Sequence, residues 1–264
     1  MQPLIITNGE KQAFQQKVLK WYHENKRDLP WRKTTDPYAI LVSEMMLQQT
    51  QVDRVIPYYL RFMNTFPDFQ ALANADKRLL LEHWSGLGYN NRVLRLQKLA
   101  QFLVEKNKPF PQSEEKLLAL PGIGPYTAAA VLAFAFNQHA VVIDTNIRRV
   151  LIAEFQLAND TSLETLKRLA RELIPQGKSR LWHNALMDYG ALQATARKTG
   201  ISSLSKQSKF EGSERQVRGK IVKHLLKESA ASIRNLEELY PHSKFTAIIE
   251  KLEPYGWRLD YILV

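Results

Sequence analysis

The chain is expected to fold as an all-α protein, and three observations carry that expectation. Apolar residues recur at helical spacing along most of its 264 residues, as in Lys11–Asn25, where Phe14, Val18, Leu19 and Tyr22 share one face. Helix-start signals recur as well, with Pro37 and Pro125 each placed for a first helical turn. Strand-like alternation is confined to the C-terminus, at Leu259, Tyr261 and Leu263.

Composition narrows the function classes. At 45% hydrophobic residues the chain can bury a sizeable core, as one large domain with or without a small second one. There are 37 Lys and Arg against 26 Asp and Glu, a formal charge of +11. That excess favours a polyanionic partner, with a merely solvated basic surface as the competing reading. The absence of cysteine excludes disulfides, thiolate metal sites and iron–sulfur clusters, and no metal ligand set is expected. No apolar run approaches the roughly 20 residues that span a bilayer. The N-terminus, MQPLIITNGEKQ, lacks the basic-then-apolar order of a signal peptide. A soluble cytoplasmic monomer with no membrane partner is expected, nucleoid-associated if bacterial.

In chain order, the Lys11–Asn25 helix leads to Arg27-Asp-Leu-Pro-Trp-Arg32, an irregular segment read as exposing Trp31 and Arg32. Trp31 is either a packed loop residue or an aromatic that lines a pocket and stacks on a base. Asp36 caps the next helix, Tyr38–Thr50, with Pro37 at its first position. This helix is almost wholly apolar, and Glu44 lies inside it beside Val42, Met45 and Met46. Burial disfavours a charged carboxylate, so a raised pKa is expected, as a general acid at neutral pH needs. The competing reading pairs Glu44 with Arg32 or Arg92. Gln48, Gln49 and Thr50 end the helix with groups suited to a groove or a gap in a base stack. Helices follow at Gln51–Met63 (with Pro57 as a start or kink), near Pro67, at Lys77–Trp84, and from Tyr89 through Val104 with a basic outer face.

Leu120-Pro-Gly-Ile-Gly-Pro-Tyr-Thr-Ala128 separates two apolar helical patterns, Ser113–Leu120 and Tyr126–Phe136. Two glycines between prolines cannot continue a helix, so the segment reads as a helix-hairpin-helix. Gly122 and Gly124, lacking Cβ, let backbone amides approach a ligand, and a phosphate suits amides at a helix start. An ordinary turn is the alternative. Asp144 then reads as the N-cap of a helix carrying Arg148 and Arg149. Cap hydrogen bonds are expected to hold Asp144 ionised, as a carboxylate facing a cationic transition state must be. Thr161–Ile174 and Leu181–Leu192 are two more helices. The run Ala196–Ser213 is a Ser/Lys/Gly-rich basic linker. Arg215–Glu228, Ile233–Tyr240, Phe245–Leu252 and the terminal strand suggest a small winged-helix-like unit.

Three segments together, LPWRKTTDPYAILVSEMMLQQTQV, SGLGYNNR and LPGIGPYTAAAVLAFAF with VVIDTNIRRV, resemble the helix-hairpin-helix DNA glycosylase superfamily, and within it the MutY-type adenine DNA glycosylases. The match runs from about Lys11 to Ala194. The resemblance implies a two-lobed all-α fold with a DNA-binding cleft, into which one nucleotide of a mispaired or damaged duplex is extruded. It divides the chain into a catalytic domain over 1–195 (a six-helix lobe about 30–140, a second lobe from 1–29 and 141–195), the linker 196–213 and a tail over 214–264. It assigns Glu44 as general acid, Asp144 as stabiliser of the oxocarbenium ion and Tyr126 as the tyrosine set against that Asp. It places Trp31, Arg32 and Asn184 in the base pocket. Gln48, Gln49, Thr50, Tyr89 and Arg148 become DNA contacts. Gly122 and Gly124 hold the phosphate, with an alkali cation often bound beneath it. Strand-cleaving relatives carry a Lys where this chain has Tyr126, and a phenol cannot form their Schiff base. A monofunctional glycosylase is therefore expected.

The departures also carry information. Ala194 stands where the first of the family's four cluster cysteines would be, so the iron–sulfur cluster is absent and polar packing or the basic loop must replace it. Thr145 follows the catalytic Asp in place of Gly, Asn90 replaces the second Tyr of GLGYY, and Asn184 is a shorter amide than the family's base reader. The C-terminal domain that reads 8-oxoguanine is expected to be missing. The alternatives are a mismatch thymine/uracil glycosylase and a non-catalytic DNA-binding module. In the tail, Arg215, Arg218, Lys220 and Lys223 tilt a stabilising appendage towards a DNA-contacting one.

Overall fold

A computed structural model describes residues 6–202, 209–228, 231–252 and 255, and every described regular element is helical. The expected strand around Leu259 lies outside the described residues. The helices are α1 Asn8–Asn25, α2 Pro37–Leu47, α3 Val52–Thr65, α4 Phe69–Ala73, α5 Lys77–Trp84, α6 Asn91–Glu105, α7 Glu114–Leu118 and α8 Pro125–Phe134. They continue with α9 Thr145–Glu154, α10 Leu163–Leu173, α11 Ser179–Asp188, α12 Ala196–Thr199, α13 Glu214–Lys227, α14 Ile233–Leu239 and α15 Phe245–Glu250. No described helix is long and apolar enough to cross a membrane.

Local signals set most of the helix starts. Asp36 receives the Tyr38 and Ala39 amides at 3.2 and 3.1 Å, and Thr7 with Glu10 closes a capping box on α1. Pro57 lies inside α3 rather than at its start. Helix α2 stops at Leu47, three residues before the expected end, because Gln49 adopts φ +56° and breaks the ladder.

The chain divides into two compact units, Met1–Leu41 with Phe110–Lys206, and Val42–Pro109 with Gln207–Val264. This differs from the sequence expectation in two ways. The hairpin segment belongs with α1 and α9–α11, because α8 packs on α11, whose Arg180 guanidinium caps the last carbonyls of α8 at Phe134 and Ala135. The tail is not a body of its own, because α13 packs on α5 and Arg78 Nη2 donates to the Leu226 carbonyl at 2.6 Å.

The core of the first unit joins Phe14 and Val18 of α1, Ile147 and Leu151 of α9, Leu169 and Leu173 of α10, and Trp182 and Leu186 of α11. Phe14 meets Trp182 and Phe155 edge-on at 5.6 and 5.2 Å. Each such side chain contributes roughly 1.5–3 kcal/mol on burial, which is what seats α9, and so Asp144, against α11. In the second unit α4 lies along α6, and α5 packs between α3 and α6 with Leu80, Leu81 and Trp84 fully buried.

Candidate active site

The two carboxylates singled out by the sequence lie in different units, and each is built by its own surroundings. Asp144 is the N-cap of α9. Its Oδ1 accepts the Ile147 N–H at 2.7 Å, and its Oδ2 accepts Asn146 Nδ2 at 2.9 Å. Burial nevertheless pushes its carboxyl above the ordinary range, against the Ile147 amide, Asn146 and the Arg149 guanidinium. The sequence expectation gave the cap bonds the larger effect. The bonds form, but the loss of water around the carboxylate outweighs them. The residue keeps part of its surface exposed, which tempers the size of the shift and not its direction.

Three neighbours that sequence reasoning passed over hold this cap. Asn146 is one, fixed in turn by Arg149 Nη1 at 3.2 Å. Gly190 is another. A Cβ there would lie 2.7 Å from the Asn146 carbonyl oxygen, so only glycine lets the end of α11 approach the start of α9. The third is His183 on α11. Its Nδ1 lies 2.8 Å from the Ser179 carbonyl and its Nε2 accepts the Val142 amide at 3.2 Å, which assigns the proton to Nδ1. Burial depresses its pKa to about 4, so the ring is neutral. An isolated Gly within a helical pattern was the one available signal among these.

Arg148 and Arg149 explain how the segment after α11 is held. Arg149 donates to the Gly190 and Ile201 carbonyls at 3.1 and 3.3 Å, and Arg148 to the carbonyls of Asn159 and Ser202. Ala194 and Ile201 are buried in the core. The residues do not suit a thiolate-held cluster, because the chain has no cysteine. Arginine-to-carbonyl bonds pin the segment instead. Arg148, expected at the DNA, is buried and engaged internally, which corrects that assignment.

The segment between α1 and α2 brings a second correction. Trp31, read as exposed, is 8% exposed, and Arg32 makes a two-pronged pair with Asp188 at 2.7 and 2.8 Å. Arg27 Nε reaches the same carboxylate at 2.6 Å. Asp188 is fully buried. Burial alone would raise its pKa, but the hydrogen bonds and charges of Arg32 and Arg27 prevail and hold it below the usual range. Arg32 is therefore part of an ion triad rather than a pocket-lining cation. Asn184 is half-buried on α11.

At the hairpin, Gly122 has φ +83° and Gly124 caps α8, with Pro125 at its first position. A Cβ on Gly124 would meet nothing within 4 Å, so no internal packing demands glycine there. Tyr126 is half-buried in the first turn of α8.

In the second unit, Glu44 is 7% exposed between the buried Ser43 and Met45. The end of its helix is held by Arg92. That buried guanidinium donates to the carbonyls of Met45, Met46 and Gln48 on one side and of Leu87 and Gly88 on the other. Burial lowers its pKa to about 10, so it stays charged. The Gln48–Thr50 turn and Tyr89 are thus fixed by one side chain.

Comparison with known proteins bears on this arrangement. The profile described as HhH-GPD superfamily base excision DNA repair protein matches residues 42–176. An adenine DNA glycosylase of Buchnera aphidicola subsp. Baizongia pistaciae is 40% identical over 184 residues, 68% of this chain and 52% of that protein. One from Mycolicibacterium smegmatis is 37% identical over 238 residues, covering 82% of this chain and 81% of the relative. The chain thus spans about half the length of the Buchnera relative. The structure of a thermostable thymine-DNA glycosylase superposes with a TM-score of 0.67 at 31% identity, over 73% of this chain and 91% of that one. By profile, relatives and fold, the chain belongs to the HhH-GPD superfamily of base excision DNA repair proteins.

Proposed function

We propose that the chain is a monofunctional DNA glycosylase that removes adenine paired with 8-oxoguanine or guanine, after turning the nucleotide out of the duplex. The observation that carries this reading is the carboxylate of Asp144, half-buried at a helix start and braced by Asn146, in a chain whose relatives are named adenine DNA glycosylases. Adenine leaves poorly as an anion. Glu44 donates a proton to N7, the C1′–N9 bond breaks with its electron pair going to the base, and neutral adenine departs. Water adds to C1′ and gives up a proton to the Glu44 carboxylate left by the first step, which restores the acid. An anion held where water is scarce gains most from a cation forming beside it, so the environment of Asp144 favours the oxocarbenium-like transition state.

Tyr126 at the hairpin, in place of a lysine, supports base removal without strand cleavage. The reading involves no iron–sulfur cluster. Duplex DNA is the partner, and Gly122, Gly124, Gln48, Gln49, Thr50 and Tyr89 are its contacts. The 31% likeness to a thymine-DNA glycosylase favours a second reading, pyrimidine removal from T:G or U:G. Incubation with A:8-oxoG, A:G, T:G and U:G duplexes, scored for alkali-labile sites, separates the two. Cleavage only at pyrimidines would refute adenine removal, and Glu44→Gln should abolish excision while DNA binding persists. A borohydride-trapped adduct would contradict the monofunctional assignment.

A further inference from the structure

Within the second unit, helix α13 shares a pocket with the turn that follows α2. The cavity is about 220 Å³ and is lined by Gln48, Gln49, Tyr89, Arg92 and Arg95, with Arg218 contributed by α13. Gln49 and Tyr89 adopt φ +56° and +47°, conformations that non-glycine residues enter only where the surroundings hold them. Arg92 does the holding, with its guanidinium engaged by backbone carbonyls. Arg215, one turn before Arg218, donates to the Tyr89 hydroxyl and ties α13 to the same wall.

Three arginines and no acid line this cavity. The carboxylate that opens α13, Glu214, is paired with Lys244 at 3.1 Å and Lys251 at 2.7 Å. Among the described residues neither Arg95 nor Arg218 makes a hydrogen bond or ion pair. Two guanidiniums lining one cavity match a phosphate, which they can grip with paired N–H donors. A stacked base fits less well, because the guanidiniums of Arg92 and Arg215 already lie over the Tyr89 ring at 5.7 and 5.6 Å.

We propose that this pocket binds a backbone phosphate of duplex DNA between Arg95 and Arg218, which makes α13 part of the DNA-binding surface. The proposal rests on the DNA-binding part of the functional reading and not on which base is removed.

The test is anisotropy titration of the full chain with a labelled duplex across roughly 50–200 mM salt. Each neutralised phosphate adds about 0.9 to the slope of log K against log salt. Arg218→Gln and Arg95→Gln should each flatten the slope by about that amount, and should weaken binding equally on A:8-oxoG, A:G and A:T duplexes. Arg218→Lys should keep the slope, which separates lost charge from lost folding. Unchanged slopes in both Gln variants would overturn the proposal. So would a loss confined to one opposing base, which would mark a base contact. A flattened slope in a protein that excises nothing would leave this proposal standing and refute the glycosylase reading. Normal adenine excision with unchanged slopes would do the reverse.

Discussion

The Val142 amide donates to Nε2 of His183 at 3.2 Å, two residues before Asp144. A neutral imidazole is the receptor for the strand of backbone that delivers the cap carboxylate. The ring is buried and its pKa is depressed from 6.5 to about 4. A depressed histidine contributes stability above its unfolded pKa and loses it as pH falls through the folded value. The protein should therefore lose stability between about pH 6.5 and 4, on the order of 3 kcal/mol from this group at about 1.4 kcal/mol per unit. Urea unfolding over that range checks it. His183→Gln, which keeps an acceptor but does not titrate, should flatten the dependence, and parallel profiles would sink the assignment.

Asp144 works in the opposite sense. Its folded pKa lies above the ordinary 3.8, so ionisation destabilises the fold as pH rises through the folded value. Asp144→Asn keeps an oxygen for the Ile147 amide and removes the half-buried charge. It should be more stable than the parent at neutral pH and no different below about pH 3.8, while excision falls by at least about a hundredfold. Thermal melts at both pH values and single-turnover excision test this. A variant less stable at neutral pH would argue that the cap bonds dominate after all.

Gly190→Ala drives a Cβ against the Asn146 carbonyl at 2.7 Å. Overpacking of this kind costs about 1–3 kcal/mol, and the shift passes through Asn146 to Asp144. Melting temperature and excision rate should fall together. A variant with a parental melt and parental rate would show that α9 and α11 can part without consequence.

Asp188→Asn removes the charge that serves Arg27 and Arg32. Breaking a buried pair on one side costs about 3–5 kcal/mol. Denaturant midpoints measure it, and a loss under 1 kcal/mol would mean that water already reaches the triad.

Much of the site was legible wherever the physics is local. Asp36 with Pro37, and Asp144 before an apolar helix, are caps because a side-chain oxygen reaches an amide two or three residues ahead. Glu44 is buried because, Ser43 apart, the residues around it on the helix from Ile40 to Leu47 are apolar. The arrangement LPGIGP reads as a turn because prolines and glycines cannot do otherwise there.

The roles that needed distant partners were not legible. Arg32 looked like a pocket cation until Asp188, 156 residues away, claimed it. Arg148 looked like a DNA contact until α9 packed and turned it onto carbonyls. The sequence by itself determined the helices, their caps and the positions of the two acids. Only the tertiary structure decided the charge balance at Asp144, the need for glycine at 190 and the neutrality of His183. Each of these depends on how much water is removed and which groups converge when α9 and α11 meet, and neither quantity is a property of neighbouring residues.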